Sequence, residues 1–136
     1  MFAAGGISYV YFIYGVHFCF NVVSGAAGRG EAVLIRAAEP LGGLKTMRLR
    51  RGNKSDRDLC NGPGKLCQAM AIGREENAQP LDHPALFIRQ DETAVPKITS
   101  DTRIGIGKGV DLAYRFLAID NRFVSKPFRC GRGRKA

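Results

Sequence analysis

Three places in this 136-residue sequence put chemistry-bearing residues at useful spacings. The first is Asn61-Gly62-Pro63-Gly64-Lys65, directly ahead of Leu66-Cys67-Gln68-Ala69-Met70. A glycine-rich loop that opens a helix leaves amide N–H groups free to face a phosphate, and Lys65 would add charge there. The GxxxxGK(S/T) spacing of a P-loop is absent, and the local pattern alone favours a plain helix cap. The second is Arg103-Ile104-Gly105-Ile106-Gly107-Lys108-Gly109, where alternating glycines let backbone come close to a ligand. No βαβ unit surrounds it, which argues against a dinucleotide site. The third is the uncharged run Gly6–Asn21, with Tyr9, Tyr11, Phe12, Tyr14, Phe18 and Phe20. Gly15 breaks it in the middle as a tight turn would. A tyrosine beside that glycine is buried by nothing in its own hairpin and is available to a partner.

The elements that must hold these residues are mostly strands. Ile7–Ile13 and Val16–Val23 are rich in aromatic and β-branched residues and form a hairpin with Tyr14-Gly15 at its tip. Glu31–Ala37 reads as a third strand, with Arg36 at its end as either a solvated cation or a partly buried one. Leu41, Leu44 and Met47 give a weak helical period that runs into Arg48, Arg50, Arg51, Lys54 and Arg57, a basic, mobile loop on a solvated face or along phosphates. Leu66, Ala69 and Met70 fit one face of a helix that Gly73 would stop. Glu75–Pro84 reads as loop, Ala85–Arg89 as a short strand, Asp91–Pro96 as a turn, and Lys97–Ile106 and Tyr114–Ile119 as the last strands. Without alternating strands and long helices, the expected fold class is α+β: one domain over residues 1–127 with a curved, mainly antiparallel sheet and a protruding hairpin. A basic, disordered tail covers 128–136.

Composition narrows the class of function. The formal net charge is +9, which favours a polyanionic partner, most often nucleic acid. Cys60 and Cys67 do not have a zinc-knuckle spacing and no histidine lies near them, so no metal site and no cofactor are expected. Cys19 falls within an apolar strand, and reduced thiols in a cytosolic protein are the expectation. Met1–Ser24 lacks charge and is long enough to span a bilayer as a helix. Its glycines at 5, 6 and 15, and the polar Ser8, His17 and Asn21, argue against that, and neither the basic region nor the cleavage site of a signal peptide is present.

Four stretches taken together carry a family resemblance: Tyr9-Val-Tyr11-Phe-Ile-Tyr14-Gly15 with Asn21; Val33-Leu-Ile-Arg36-Ala-Ala-Glu39-Pro40; Leu59-Cys-Asn-Gly62-Pro63-Gly64-Lys65-Leu66-Cys67-Gln68-Ala69; and Arg103-Ile104-Gly105-Ile106 leading to Tyr114-Arg115-Phe116. Their order and content resemble the alkyladenine (3-methyladenine) DNA glycosylases, from Met1 to about Pro127. The resemblance implies excision of 3-methyladenine, 7-methylguanine or hypoxanthine from double-stranded DNA by hydrolysis of the N-glycosidic bond, after the base leaves the stack. It implies that Tyr14 wedges into the minor groove, as other minor-groove proteins insert side chains. Tyr11 would stack on the flipped base, and Asn21 would crowd the 2-amino group of guanine. Arg36 and the backbone carbonyl of Ile104 would hold the attacking water. Val16, His17, Lys65 and Gly105 would contact DNA. A monomer is implied, working at the nucleoid if bacterial or in the nucleus if eukaryotic, with no membrane partner. The family's water-activating glutamate belongs to a segment ahead of the hairpin, and neither Glu31 nor Glu39 stands in the matching position. The expectation is therefore an N-terminally truncated glycosylase. The alternatives are a non-catalytic DNA-binding remnant and, third, a small membrane-anchored protein.

Overall fold

The computed structural model describes residues 1–90 and 94–126. Contacts gather the chain into two compact units, Met1–Asp91 and Glu92–Ala136.

In the first unit, β1 (Ser8–Ile13), β2 (His17–Val23) and β3 (Ala32–Leu34) form an antiparallel sheet in the order β1-β2-β3. The β1–β2 register runs from Ser8 opposite Val22 to Ile13 opposite His17. That pairing puts Tyr9, Tyr11, Cys19 and Asn21 on one face and Val10, Phe12, Phe18 and Phe20 on the other. The hairpin matches its expected bounds within one residue. The third strand is shorter than Glu31–Ala37, although the Ile35 amide still donates to the Phe20 carbonyl at 3.0 Å. The outer edge of β1 is covered over its first half. Buried Ser8 exchanges backbone hydrogen bonds with Ala78 and Gln79, its hydroxyl donates to the Glu76 carbonyl, and the Val10 amide donates to Asn77 Oδ1 at 2.9 Å.

Of three short helices, α1 (Leu44–Arg50), α2 (Asp56–Leu59) and α3 (Pro63–Met70), α3 packs on β2, and α1 and α2 pack on α3 and on each other. Proline at the first position suits α3, because its missing N–H would have had no intrahelical partner. Leu66, Cys67 and Ala69 of α3 join Val10, Phe20, Leu59, Cys60, Ile72 and Leu81 in the core. Met70 does not share that face and is exposed, because the helix ends there. Termination comes before Gly73. Ala71 takes a left-handed backbone (φ 56°), and the Ile72 amide donates to the Cys67 carbonyl at 2.8 Å, the closing bond of a Schellman motif. Leu41 lies outside α1 and is exposed.

The basic stretch Arg48–Arg57 is not a loose loop. Arg48 forms an ion pair with Asp56 at 2.6 Å. Arg50 donates to the Ala69 carbonyl at 3.0 Å. Arg51 donates to the Leu59 carbonyl at 3.3 Å and to Gln68 Oε1 at 2.5 Å. Gln68 in turn donates to the Arg50 carbonyl at 2.8 Å. These guanidinium groups tie α1 to α2 and α3, and a planar fork with five donors suits such a joint. The stretch Glu75–Pro84 is likewise not all loop, since Asp82–His83 (β4) pairs with Leu86–Phe87 (β5).

In the second unit, β6 (Ile98–Asp101) pairs antiparallel with β7 (Arg115–Ala118). The strand expected over Lys97–Ile106 stops at Asp101. Beyond it the chain wraps around the Arg103 guanidinium, which donates to the Lys108 and Gly109 carbonyls at 3.1 and 3.2 Å and lies 5.9 Å from the centre of the Tyr114 ring. Gly109 has φ 61°, a conformation that strains any other L-residue, and a Cβ there would meet the end of the Arg103 guanidinium at 2.7 Å and displace it. The α+β class is observed, and among the described residues the strands pair antiparallel and fall into three separate sheets. Among the described residues no helix is long and apolar enough to cross a membrane, and most of Met1–Ser24 is hairpin. The tail residues Arg129, Arg132, Arg134 and Lys135, with Cys130, lie outside the described residues.

Candidate nucleic-acid interface

The tip of the β1–β2 hairpin is Tyr14-Gly15-Val16. Tyr14 (φ 55°) and Gly15 (φ 67°) both take left-handed backbone, and the Val16 amide donates to the Ile13 carbonyl at 3.3 Å. Two successive positive φ values mark a type I′ turn, whose twist matches that of the flanking strands. Asparagine, aspartate or glycine is usual at the first of these positions, and here it is a tyrosine, 84% exposed. Val16 beside it is also exposed.

His17 begins β2 and lies against the start of α3. A Cβ on Gly64 would stand 2.9 Å from His17 Cγ and 3.1 Å from His17 Cβ, so this crossing requires glycine at position 64. Val16, His17 and Phe18 face Gly64, Cys67 and Ile72 across an open cleft of about 380 Å³. Burial pushes the Cys67 thiol up to about 11, with the nearby Cys19 as a second cause. Lys65, one residue further along α3, is exposed and donates to Asn61 Oδ1 at 2.8 Å.

On the tyrosine-bearing face of the hairpin, Tyr9 and Tyr11 stand with ring centroids 5.5 Å apart. Tyr11 is half-buried opposite Cys19. Burial, and secondarily the Cys19 thiol, raise its hydroxyl pKa above the ordinary phenolic value. Asn21 is buried, and its Nδ2 donates to the Tyr9 carbonyl across the ladder at 3.0 Å. Tyr11 and Asn21 thus share one face of the hairpin. Arg36 is exposed, two residues past β3, so of its two sequence readings the solvent-facing one holds. Glu31 pairs with Arg29 at 3.2 Å, and Glu39 is exposed. Ile104 and Gly105 (φ 75°) belong to the second unit, in the loop shaped by Arg103.

The sequence reading brought out Tyr14, Tyr11, Asn21 and Lys65 but passed over their supports. In sequence Gly64 fits a phosphate loop or a helix start, whereas in the fold its bare Cα is what admits His17. Asn61 was read as a loop residue, and its spacing of four from Lys65 was the available signal.

A hairpin with an exposed aromatic tip thus stands beside a glycine-opened helix in a basic α+β chain. The methylpurine-DNA glycosylase (MPG) family model matches residues 1–122, and the chain belongs to that family. It is 50% identical over 128 residues to a protein of Carboxydothermus hydrogenoformans, covering 93% of this chain and 67% of that one. It is 50% identical over 128 residues to one of Rhodopseudomonas palustris, covering 94% and 62%. A Francisella tularensis relative is 45% identical over 130 residues, covering 93% and 67%. All three bear the name "Putative 3-methyladenine DNA glycosylase". The chain spans roughly two thirds of the length of these relatives.

Proposed function

We propose that this chain carries the lesion-recognition surface of a DNA glycosylase that removes alkylated or deaminated purines from double-stranded DNA. The observation that carries this reading is the hairpin tip, where an exposed tyrosine is fixed on left-handed backbone while the other tyrosines of the same hairpin are half-buried. A rigid, solvent-facing aromatic is what a minor-groove wedge requires.

In this reading Tyr14 enters the minor groove and fills the gap left by the extruded nucleotide. Unstacking costs a few kcal/mol, least for a damaged base. Tyr11 receives the flipped base, and stacking returns roughly 1–3 kcal/mol. An alkylated purine that carries positive charge adds a cation–π contribution. Asn21, held by the Tyr9 carbonyl, cannot swing aside and so excludes the 2-amino group of an intact guanine. Arg36 holds the attacking water. Its oxygen bonds to the sugar C1′, the C1′–N bond breaks with its electron pair leaving on the base, and the water's proton passes to a general base. Val16, His17, Lys65 and Gly105 contact the DNA around the flipped nucleotide, and the protein acts as a monomer.

Binding to a duplex containing hypoxanthine is measured beside the undamaged duplex, for the unmodified chain and for Tyr14→Ala. Tyr14→Ala is expected to weaken lesion binding more than plain-duplex binding. Equal losses on the two would mean that Tyr14 is only a surface aromatic, and the wedge reading would fail.

A further inference from the structure

We propose that Asp58 and Asn61 are positioning residues that hold the Lys65 ammonium beside the start of α3 for contact with a DNA phosphate. The inference rests on the duplex-DNA reading above. Ser55 Oγ donates to Asp58 Oδ2 at 2.8 Å, Asn61 Nδ2 donates to Asp58 Oδ1 at 2.9 Å, and Lys65 Nζ donates to Asn61 Oδ1 at 2.8 Å.

The direction of this relay follows from the chemistry of its ends. An ammonium group only donates and an ionised carboxylate only accepts, so the amide between them must turn its oxygen to Lys65 and its nitrogen to Asp58. Hydrogen bonds from Ser55 and then from Asn61 hold the Asp58 carboxyl below its ordinary pKa, which keeps it an acceptor. Asn61 is buried, whereas Lys65 is exposed. The relay therefore has a buried middle, at Asn61, and an exposed ammonium at one end. Lysine has three N–H donors, and with one on Asn61 two remain for an anion. The first amides of α3 beside it have no partner within the helix. A free lysine loses rotamer freedom when it meets a phosphate, and one already seated on Asn61 loses less.

The test titrates variants against undamaged duplex across a salt series. Lys65→Ala should weaken binding and reduce the slope of log affinity against log salt by about one. Asn61→Ala should weaken binding about two- to tenfold, the cost of ordering one long side chain. Its slope should stay unchanged, because the charge is kept. In a Lys65→Ala background the Asn61 change should add nothing further. Asn61→Ser is carried in parallel, since it keeps a hydrogen-bonding group at the buried position but is too short to bridge both partners. Urea midpoints establish that each variant is folded. An Asn61 loss that persists in the Lys65→Ala background would make Asn61 merely structural and overturn the inference. If Lys65→Ala changes neither affinity nor slope while the parent binds, the inference falls and the DNA reading stands. If the parent itself shows no salt-dependent duplex binding, both fall.

Discussion

Replacing Tyr14 by asparagine should make this protein more stable and worse at binding damaged DNA. Tyr14 sits at φ 55° with its side chain 84% exposed. Left-handed backbone costs an ordinary L-residue about 1–2 kcal/mol, and asparagine bears it more easily because its short side chain bonds locally. The exposed ring contributes little burial, so most of the relieved strain should appear as a net gain of about 1 kcal/mol. For a chain of this length that is roughly a 3–5 °C rise in Tm, interpolated between the values for smaller and larger domains. Ala71→Gly relieves the same kind of cost at the end of α3 and should give a rise of similar size. Thermal unfolding followed by circular dichroism gives the first half of the prediction. Fluorescence anisotropy on duplexes with and without hypoxanthine gives the second. A Tm that stays level or drops in Tyr14→Asn would show that the ring packs in solution or that the turn carries no strain. In that case a functional cost stored at the tip would be the wrong account.

Gly64→Ala should destabilise the first unit by about 1–3 kcal/mol, because the added Cβ meets His17 near its backbone. His17→Ala in the same chain should recover part of that loss in urea melts. Cys67 predicts a fall in stability at high pH. Its thiol is raised from 9.0 to about 11 in the folded state, so the folded chain holds the proton longer than the unfolded one. Stability is then intact below about pH 9 and declines as pH rises through 11. Cys67→Ala should flatten the decline in urea midpoints between those values. Binding to duplex DNA should fall by orders of magnitude between about 50 and 200 mM salt if several phosphates are neutralised, and a salt-independent affinity would contradict that. The expectation that neither Glu31 nor Glu39 serves as the water-activating carboxylate is open to a direct test. Single-turnover excision of hypoxanthine or 7-methylguanine by this polypeptide should lag by about 10²–10⁴-fold behind one extended with a family N-terminal segment. Equal rates would assign the base to a residue within 1–136.

The hairpin was legible because aromatic and β-branched residues flank a single glycine, and its strands end within a residue of expectation. Strand β7 was legible from the aromatic and apolar run Tyr114–Ile119. Two-residue strands such as Asp82–His83 carry no periodicity, so nothing local could reveal them. The run Lys97–Ile106 was overextended because the feature that ends β6, a guanidinium binding carbonyls five and six residues ahead, leaves no pattern in the intervening sequence. Residue type and motif pointed to Tyr14 and Tyr11. What fixes Asn21, Lys65 and His17 is a cross-strand carbonyl, a buried amide and a bare Cα, none of which is visible until the chain has folded.

The arginine joint between α1 and its neighbours bears on how the first unit opens. Helix α1 buries no residue fully; Leu44 and Met47 pack partly on the core, and Arg48, Arg50 and Arg51 tie the helix to α2 and α3. A segment with few buried apolar contacts opens locally at less than the global cost. Amide hydrogen exchange in α1 would then run through an opening that leaves the hairpin intact, and its rate would report on the guanidinium ties. Lysine at these positions would preserve the electrophoretic charge of the protein while loosening that segment, so composition and mobility on a gel would record no change where the architecture had lost a hinge pin.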